Sequence, residues 1–251
     1  YEYKNDCLVA EIKYRILGDL DGAAKLYNEL INKKDRKFYD NSLNRIIDIQ
    51  ISKSNLTSAL ELIDDKIKSN KDVNTQNLLE TKKIQVLFYL NKMDDLKTLS
   101  ELILKKKGKN DLLYNDILKI NSDLLLFRDN KKELEKYSLA MFKIYQNKRI
   151  EAIEILNSIE VFESYVYDKI IYESAYLNFL QKNFEIALMS LEQIDKDSAY
   201  IESSLLLKAE INDYILNNKS KAAEIYLYLL DSFPNSIHND KIRQRLRRLA
   251  S

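Results

Sequence analysis

Nucleophilic catalysis needs a thiol or hydroxyl beside an imidazole, and a histidine metal site needs more than one ring. This chain has one histidine, His238, and one cysteine, Cys7. A single cysteine also rules out an internal disulfide. In "NDCLVAE", Leu8 and Ile12 lie at helical spacing, so Cys7 reads as a small packed side chain. His238 lies in "PNSIHND" and reads as a solvated turn residue. The three glycines of the chain cannot build a P-loop or a G-x-G-x-x-G turn. Carboxylates are many, but in stretches such as "ELEK" and "DDKIK" they interleave with lysine at helical spacing, the pattern of a solvated face. The residues therefore point to no catalytic constellation, no metal and no cofactor, and the expectation is that the chain is not an enzyme. What stands out instead is the aromatic content, 17 Tyr against 8 Phe. Tyrosine packs like an apolar side chain and keeps a hydroxyl for a partner or for water. That chemistry suits binding.

The elements that must position these side chains are helices. Over 251 residues there are 3 Gly and 1 Pro, and 31% of the residues are charged. So few helix breakers leave little room for hairpins of strands. "CLVAEIKYRIL", "LNRIIDIQI", "LLETKKIQVLFYL" and "YNDILKINSDLLLF" place apolar residues three and four apart. Short polar breaks separate them: "GDLDG" at 18–22, "NKKDRK" at 32–37, "SKSN" at 52–55, "KKKGKN" at 105–110 and "RDNKK" at 128–132. The basic run "KKKGK" reads as a solvated turn that suits a helix C-terminal dipole. No apolar run reaches the length needed to cross a bilayer. The chain opens on Tyr1 rather than Met, so the expectation is a trimmed N-terminus, and the sequence leaves open whether a signal or anchor went with it.

The breaks recur because the helices do. Several helices carry a small residue and, four later, an apolar one: Ala23 and Tyr27, Ala59 and Ile63, Ala152 and Leu156, Ala187 and Leu191, Ala222 and Tyr226. "MDDLKTLS" supplies a degenerate copy with Leu96. A small side chain lets a partner helix approach, and the larger one fills the groove beside it. The spacings are 36 and 37 residues from Ala23 to Leu96, and 35 and 35 from Ala152 to Ala222. The longer gap between Leu96 and Ala152 leaves room for one extra helix. This divides the chain into degenerate repeats at 1–109, an extra helix joining the halves at 110–130, and repeats with a capping helix at 131–251.

A helix pair repeated about every 34 residues resembles the tetratricopeptide repeat. The recurring Ala and the apolar residue four later match two of that family's signature positions. Ala140 and Ala175, each twelve before a recurring Ala, match the small residue of the first helix. Pro234, twelve after Ala222, stands where the family often has proline. Trp is absent, the turn glycine is mostly Asn or Lys, and repeats two and three match less well. The resemblance implies an all-α fold, a right-handed α-solenoid of about six or seven antiparallel helix pairs. It also implies a groove lined by first-helix residues fifteen and eleven before the recurring Ala. Carried over, these are Tyr137 and Met141, Tyr172 and Tyr176, and Leu207 and Ile211. The chaperone-tail clamp of the family needs Lys and Asn in the first repeat, where this chain has Leu8 and Ile12, so that mode of binding is not expected. The stretch "YLYLLDSFPNS" before an Arg-rich helix is similar to bacterial envelope proteins of this repeat class, which implies a periplasmic or envelope setting.

Pro234 ends a repeat's second helix and restricts Phe233. Asn235 or Ser236 is then expected to cap a final helix. That helix places Ile242, Leu246 and Leu249 on one face, with Lys241, Arg243, Arg245, Arg247 and Arg248 mostly on the others. This suits the end of a solenoid, where nothing stacks beyond. Formal net charge is +1. A nucleic-acid binder usually carries a basic excess, so nucleic acid is not the expected ligand. The function that follows is a non-catalytic scaffold binding a protein or peptide. The alternative is a helical-repeat protein that reads single-stranded RNA, since spacings of 35 also fit pentatricopeptide repeats.

Overall fold

The computed structural model describes residues 2–33, 36–106, 112–161 and 163–250. The chain divides into two compact units, 1–128 and 129–251. In the first, α1 (Glu2–Ile12) runs into a π-helical turn (Lys13–Leu17) and is followed by α2 (Leu20–Asn32), α3 (Arg36–Ser52), α4 (Leu56–Ser69), α5 (Val73–Tyr89), α6 (Met93–Lys106) and α7 (Leu112–Leu126). In the second are α8 (Lys131–Tyr145), α9 (Arg149–Asn157), α10 (Ser164–Leu180), α11 (Phe184–Leu191), α12 (Ile201–Glu210) with a second π-helical turn (Ile211–Ile215), α13 (Lys219–Ser232) and α14 (Asn239–Ala250). The protein is all-α, and consecutive helices pack as antiparallel pairs. Among the described residues there are six hairpins, α1/α2, α3/α4, α5/α6, α8/α9, α10/α11 and α12/α13. Two helices stand outside them: α7 packs on α5 and α6, and α14 packs on α13. Most of the "KKKGKN" break, from residue 107 on, and part of "NKKDRK" lie outside the described residues.

One turn geometry closes all six hairpins. Gly18, Ser54, Asn91, Asn147, Lys182 and Asn217 all have φ between 51° and 65°. Each lies five residues before the recurring residue of the following helix: Ala23, Ala59, Leu96, Ala152, Ala187 and Ala222. Where the first helix is α-helical to its end, the turn is a Schellman closure. Ser54, Asn91, Asn147 and Lys182 donate to the carbonyl three residues back, and the next residue donates to the carbonyl five back of itself. In the two hairpins with π-helical turns, the closing bond spans six residues, from Asp19 to Lys13 and from Asn218 to Asn212. The π turn holds one residue more, and the bond lengthens to match. Repeats two and three, which fit the sequence pattern least well, share the same turn. A side chain in the left-handed region costs about 1–2 kcal/mol that glycine does not pay. Lys182→Gly is therefore expected to stabilise the second unit by about 1 kcal/mol, read as a higher urea midpoint. An unchanged or lower midpoint would show that the turn is not strained.

The recurring residues form the inner seam of each hairpin. Ala23, Ala59, Leu96, Ala152, Ala187 and Ala222 are all fully buried, as are Ala140 and Ala175 on the first helices. The residues four later, Tyr27, Ile63, Leu156, Leu191 and Tyr226, are buried as well. Close helix approach at the small residue is what exposes so little of the larger one.

At the C-terminal end, α13 stops at Ser232, and Phe233 leaves the helical region at φ −127° before Pro234. The expected cap at Asn235 or Ser236 is not formed, because α14 starts only at Asn239. The intervening residues make a tied turn instead. The Ser236 hydroxyl accepts from the His238 N–H at 3.0 Å, and the Asn239 amide donates to the Phe233 and Pro234 carbonyls at 2.9 Å. His238 is half-buried within it. Ile242 is buried, and Leu246 and Leu249 pack with it against α12 and α13.

Candidate functional site

The six residues expected along the groove do not share one environment. Tyr137, Leu207 and Ile211 are core, at 1%, 5% and 0% exposure. Leu207 and Ile211 pack among Ala175, Ala187, Leu191 and Ile194, so the preceding hairpin covers them. Tyr137 donates to Glu173 at 2.8 Å, and the Lys169 ammonium lies 5.3 Å from its ring centre. Helix stacking buries these three within the second unit. Met141 and Tyr172 are half-buried, and Tyr176 is 44% exposed.

What remains open is one row on α10. Tyr172, Tyr176 and Leu180 lie four apart and so share a face. Tyr172 holds its ring 5.6 Å from that of Tyr200 and is hydrogen-bonded to Ser203. Burial pushes its hydroxyl above the ordinary range, so it stays a neutral donor. Tyr176 stacks on Phe179 at 6.2 Å, and Phe179 in turn meets Phe184 of α11 at 5.9 Å. The aromatic rings are thus held from behind, and Tyr176 and Leu180 present an apolar surface on a rigid helix. In the first unit, a depression of about 430 Å³ lies over Leu60, Leu87, Leu99 and Leu102, rimmed by Lys92, Asp95 and the Lys83–Asp64 ion pair. Cys7 is half-buried, and burial raises its thiol, so it is a poor nucleophile. Among the described residues no cluster of His, Cys, Asp and Glu is placed to hold a metal ion, and no helix is long and apolar enough to cross a membrane.

The polar groups that do converge were not found from the sequence. In the first unit, Glu11 accepts from Arg45 at 2.7 Å, from Arg15 at 2.5 Å and from the Tyr27 hydroxyl at 3.0 Å. Arg45 lies over the Tyr14 ring and reaches Asp48, which also pairs with Lys82 at 2.5 Å. In the second unit, Arg245 donates to Glu210 at 2.8 Å and to the Tyr226 hydroxyl at 3.1 Å, and lies over Tyr214. Arg248 donates to both oxygens of Asp213 at 2.6 Å. Arg245 is 7% exposed, so it is not on the polar outer face expected for it. The two networks are the same device. Residues 8–30, "LVAEIKYRILGDLDGAAKLYNEL", and 207–229, "LKAEINDYILNNKSKAAEIYLYL", are identical at ten of 23 positions. Both segments carry Glu, the π-helical turn and Tyr four after the recurring Ala, and both pair with an arginine on the next first helix. In the hairpins with Ala140 and Ala175 in place of that Glu, the residue four later is Leu. The signal was legible as an acid-to-arginine spacing of one repeat, Glu11 to Arg45 and Glu210 to Arg245.

Burial alone would raise the Glu11 carboxyl, but hydrogen bonds from Arg45, Arg15 and Tyr27 outweigh it and hold it below the ordinary range. A depressed carboxylate contributes stability above its unfolded pKa, and that contribution is lost as pH falls through the lower, folded value. Wild type should therefore lose stability in the first unit below about pH 4, the ordinary carboxylate range. Glu11→Gln should start less stable at neutral pH and show a shallower acid dependence in urea unfolding at several pH values. Equal acid slopes would refute the assignment.

The sequence matches no protein-family profile, and it matches no curated protein. Six hairpins share a left-handed turn residue five before a fully buried position, which is alanine in five of them, and within each unit these positions recur every 35 to 37 residues. The fold is tetratricopeptide-like. Solved structures similar to it include a tetratricopeptide repeat protein from Parabacteroides merdae ATCC 43184, at 15% identity and TM-score 0.40 over 99% of each chain. A chain in the structure of Naa15/Naa10 bound to HypK-THB is similar at 14% identity and TM-score 0.41, over all of this chain and 39% of that one. The P58(IPK) TPR domain is similar at 12% identity and TM-score 0.34, over 98% of this chain and 77% of that one.

Proposed function

We propose that this chain is a non-catalytic scaffold that binds a protein partner through the second unit, within a bacterial envelope assembly. The row Tyr172, Tyr176 and Leu180 on α10 receives an apolar helix or extended segment of that partner. One observation carries the reading: Tyr176 and Leu180 stay 44% and 36% exposed beside Ala175 and Leu177, which are buried. Aromatic and aliphatic anchors on a rigid helix suit helix-in-groove recognition, because their ordering is already complete before binding. Tyr172 supports the row from behind, through Tyr200, and is not a suitable test residue on its own.

The test is a crosslinking pull-down from the native organism, comparing wild type with Tyr176→Ser/Leu180→Ser after circular dichroism shows equal helicity. The expected result is one protein partner captured by wild type and lost by the variant. A partner from the cell envelope supports the setting, and a cytoplasmic one overturns it. Recovery of nucleic acid alone, with salt-dependent binding, overturns the scaffold reading itself.

A further inference from the structure

The row on α10 has a neighbour on α12. Tyr172 is hydrogen-bonded to Ser203, and the Glu210 carboxylate lies near enough to act on its hydroxyl. Ser203, Leu206 and Glu210 are spaced by three and four, so they share the face of α12 that lies beside the row. The segment linking α11 to α12 sits at the Tyr172 end. Its Tyr200 ring lies 5.6 Å from that of Tyr172, and its Gln193 accepts from the Tyr167 hydroxyl at 2.8 Å. Charge around these rows is uneven. From Ser164 to Glu210 there are eight Asp or Glu, four Lys and no Arg. Lys169 is spent inside, 4% exposed with its ammonium over the Tyr137 ring and beside Glu173. Lys208 stands two residues past Leu206, on the opposite side of α12. Lys182 is in the turn beyond Leu180. Only Lys196 offsets Glu192, Asp195 and Asp197 in the linking segment, and all four are exposed. The Tyr172 end of the surface is therefore acidic, and neither row carries a lysine or arginine.

We propose that the partner segment received by the α10 row is a cationic amphipathic helix, its apolar side chains on Tyr176 and Leu180 and its lysines or arginines beside Glu192, Asp195 and Asp197. This rests on the α10 row being the binding surface. Charge complementarity selects the sign of the partner. A basic helix meets unlike charge at the Tyr172 end, whereas an acidic one meets like charge there, and such repulsion rejects wrong partners. The exposed Tyr176 ring adds a face over which a cation can lie. The asymmetry also sets the direction. Acids stand at the Tyr172 end and Lys182 follows Leu180 at the other, so the basic residues of the bound helix lie toward Tyr172.

Fluorescence anisotropy of the whole chain with labelled synthetic peptides tests this. One peptide carries leucine at i, i+3, i+4 and i+7 with lysine between. A second has glutamate for lysine, and a third is the lysine peptide in scrambled order. At low salt the lysine peptide is expected to bind at least about tenfold more tightly than the other two, and the difference should narrow as salt rises. Asp195→Asn/Asp197→Asn should weaken its binding about fivefold, as removal of two rim charges does. Tyr176→Ser/Leu180→Ser should remove it. Equal or tighter binding of the glutamate or scrambled peptide overturns the proposal, and so does lysine-peptide binding unchanged by the aspartate substitutions. In those cases a loss with Tyr176→Ser/Leu180→Ser leaves the α10 surface standing. Lysine-peptide binding indifferent to Tyr176→Ser/Leu180→Ser overturns that surface and this inference with it. Binding of none of the peptides overturns the inference alone, since the pull-down still decides the surface.

Discussion

Arg245→Ala should destabilise the second unit by about 3 kcal/mol, while Arg247→Ala, two residues away on the same helix, should change stability by less than about 0.5 kcal/mol. The difference comes from what each guanidinium touches. Arg245 has 8% of its side chain exposed and joins three elements: Glu210 on α12, Tyr226 on α13 and the Tyr214 ring in the π-helical turn. Removing it leaves a partly buried carboxylate without its main partner, and removes the stem that packs between two rings. Burial and the Glu210 carboxylate act in opposite directions on this guanidinium, and the carboxylate prevails, holding it more firmly charged than usual. Arg247 is exposed and faces water. Urea unfolding followed by circular dichroism reads both changes. Equal effects at the two positions would mean that α14 is held by its apolar face alone.

Ala187→Leu is the second large effect, expected to cost the second unit about 3 kcal/mol. Ala187 is fully buried where α11 meets α10 and α12, among Ala175, Leu191 and Leu207. Three added carbon atoms there must force the helices apart, since a well-packed interior has no spare volume. The neighbouring Ile186 is 52% exposed, so Ile186→Ala should cost less than about 0.5 kcal/mol. A tolerated leucine at 187 would show that the small residue does not set the helix approach. If the substitution prevents folding altogether, Ala187→Ser in its place should give a smaller, measurable loss.

Both predictions rest on residues that the sequence treated very differently. The recurring alanines were legible at once, because a small residue every 35 or so positions has a local cause. Close helix packing repeats with the chain, so its trace repeats in the sequence. The hairpin turns were partly legible. Gly18 marked one, while Ser54 and Lys182 hold the same left-handed conformation without a residue type that announces it. The Schellman hydrogen bonds impose that conformation regardless of the side chain. The cap at Asn235 or Ser236 was misplaced by two or three residues, because Asn239 ties the turn back to Phe233 and Pro234 and delays the helix.

The candidate site was less legible. Tyr137, Met141, Tyr172, Tyr176, Leu207 and Ile211 follow from one offset rule, yet the structure buries three of them and leaves Tyr176 44% exposed. An offset fixes which side of a helix a residue occupies. It does not fix how deeply the next helix covers that side. The arginines of α14 show the same limit. Their placement by helical period put Arg245 outside, but Glu210, one repeat earlier, and Tyr226 of α13 draw it inward.

The sequence by itself thus determined the helical class, the repeat length, the small-residue seam and the end of α13 at Pro234. Each of these depends on neighbours a few residues apart, or on a period that the chain repeats. Only the tertiary structure decided which charged groups pair across repeats, which aromatic residues reach solvent, and that Leu8 and Ile12 lie open where their counterparts Leu207 and Ile211 are sealed. Those depend on which helix lies alongside: at Leu207 and Ile211 it is the α10/α11 hairpin, which the identity of ten of 23 positions with 8–30 does not reveal.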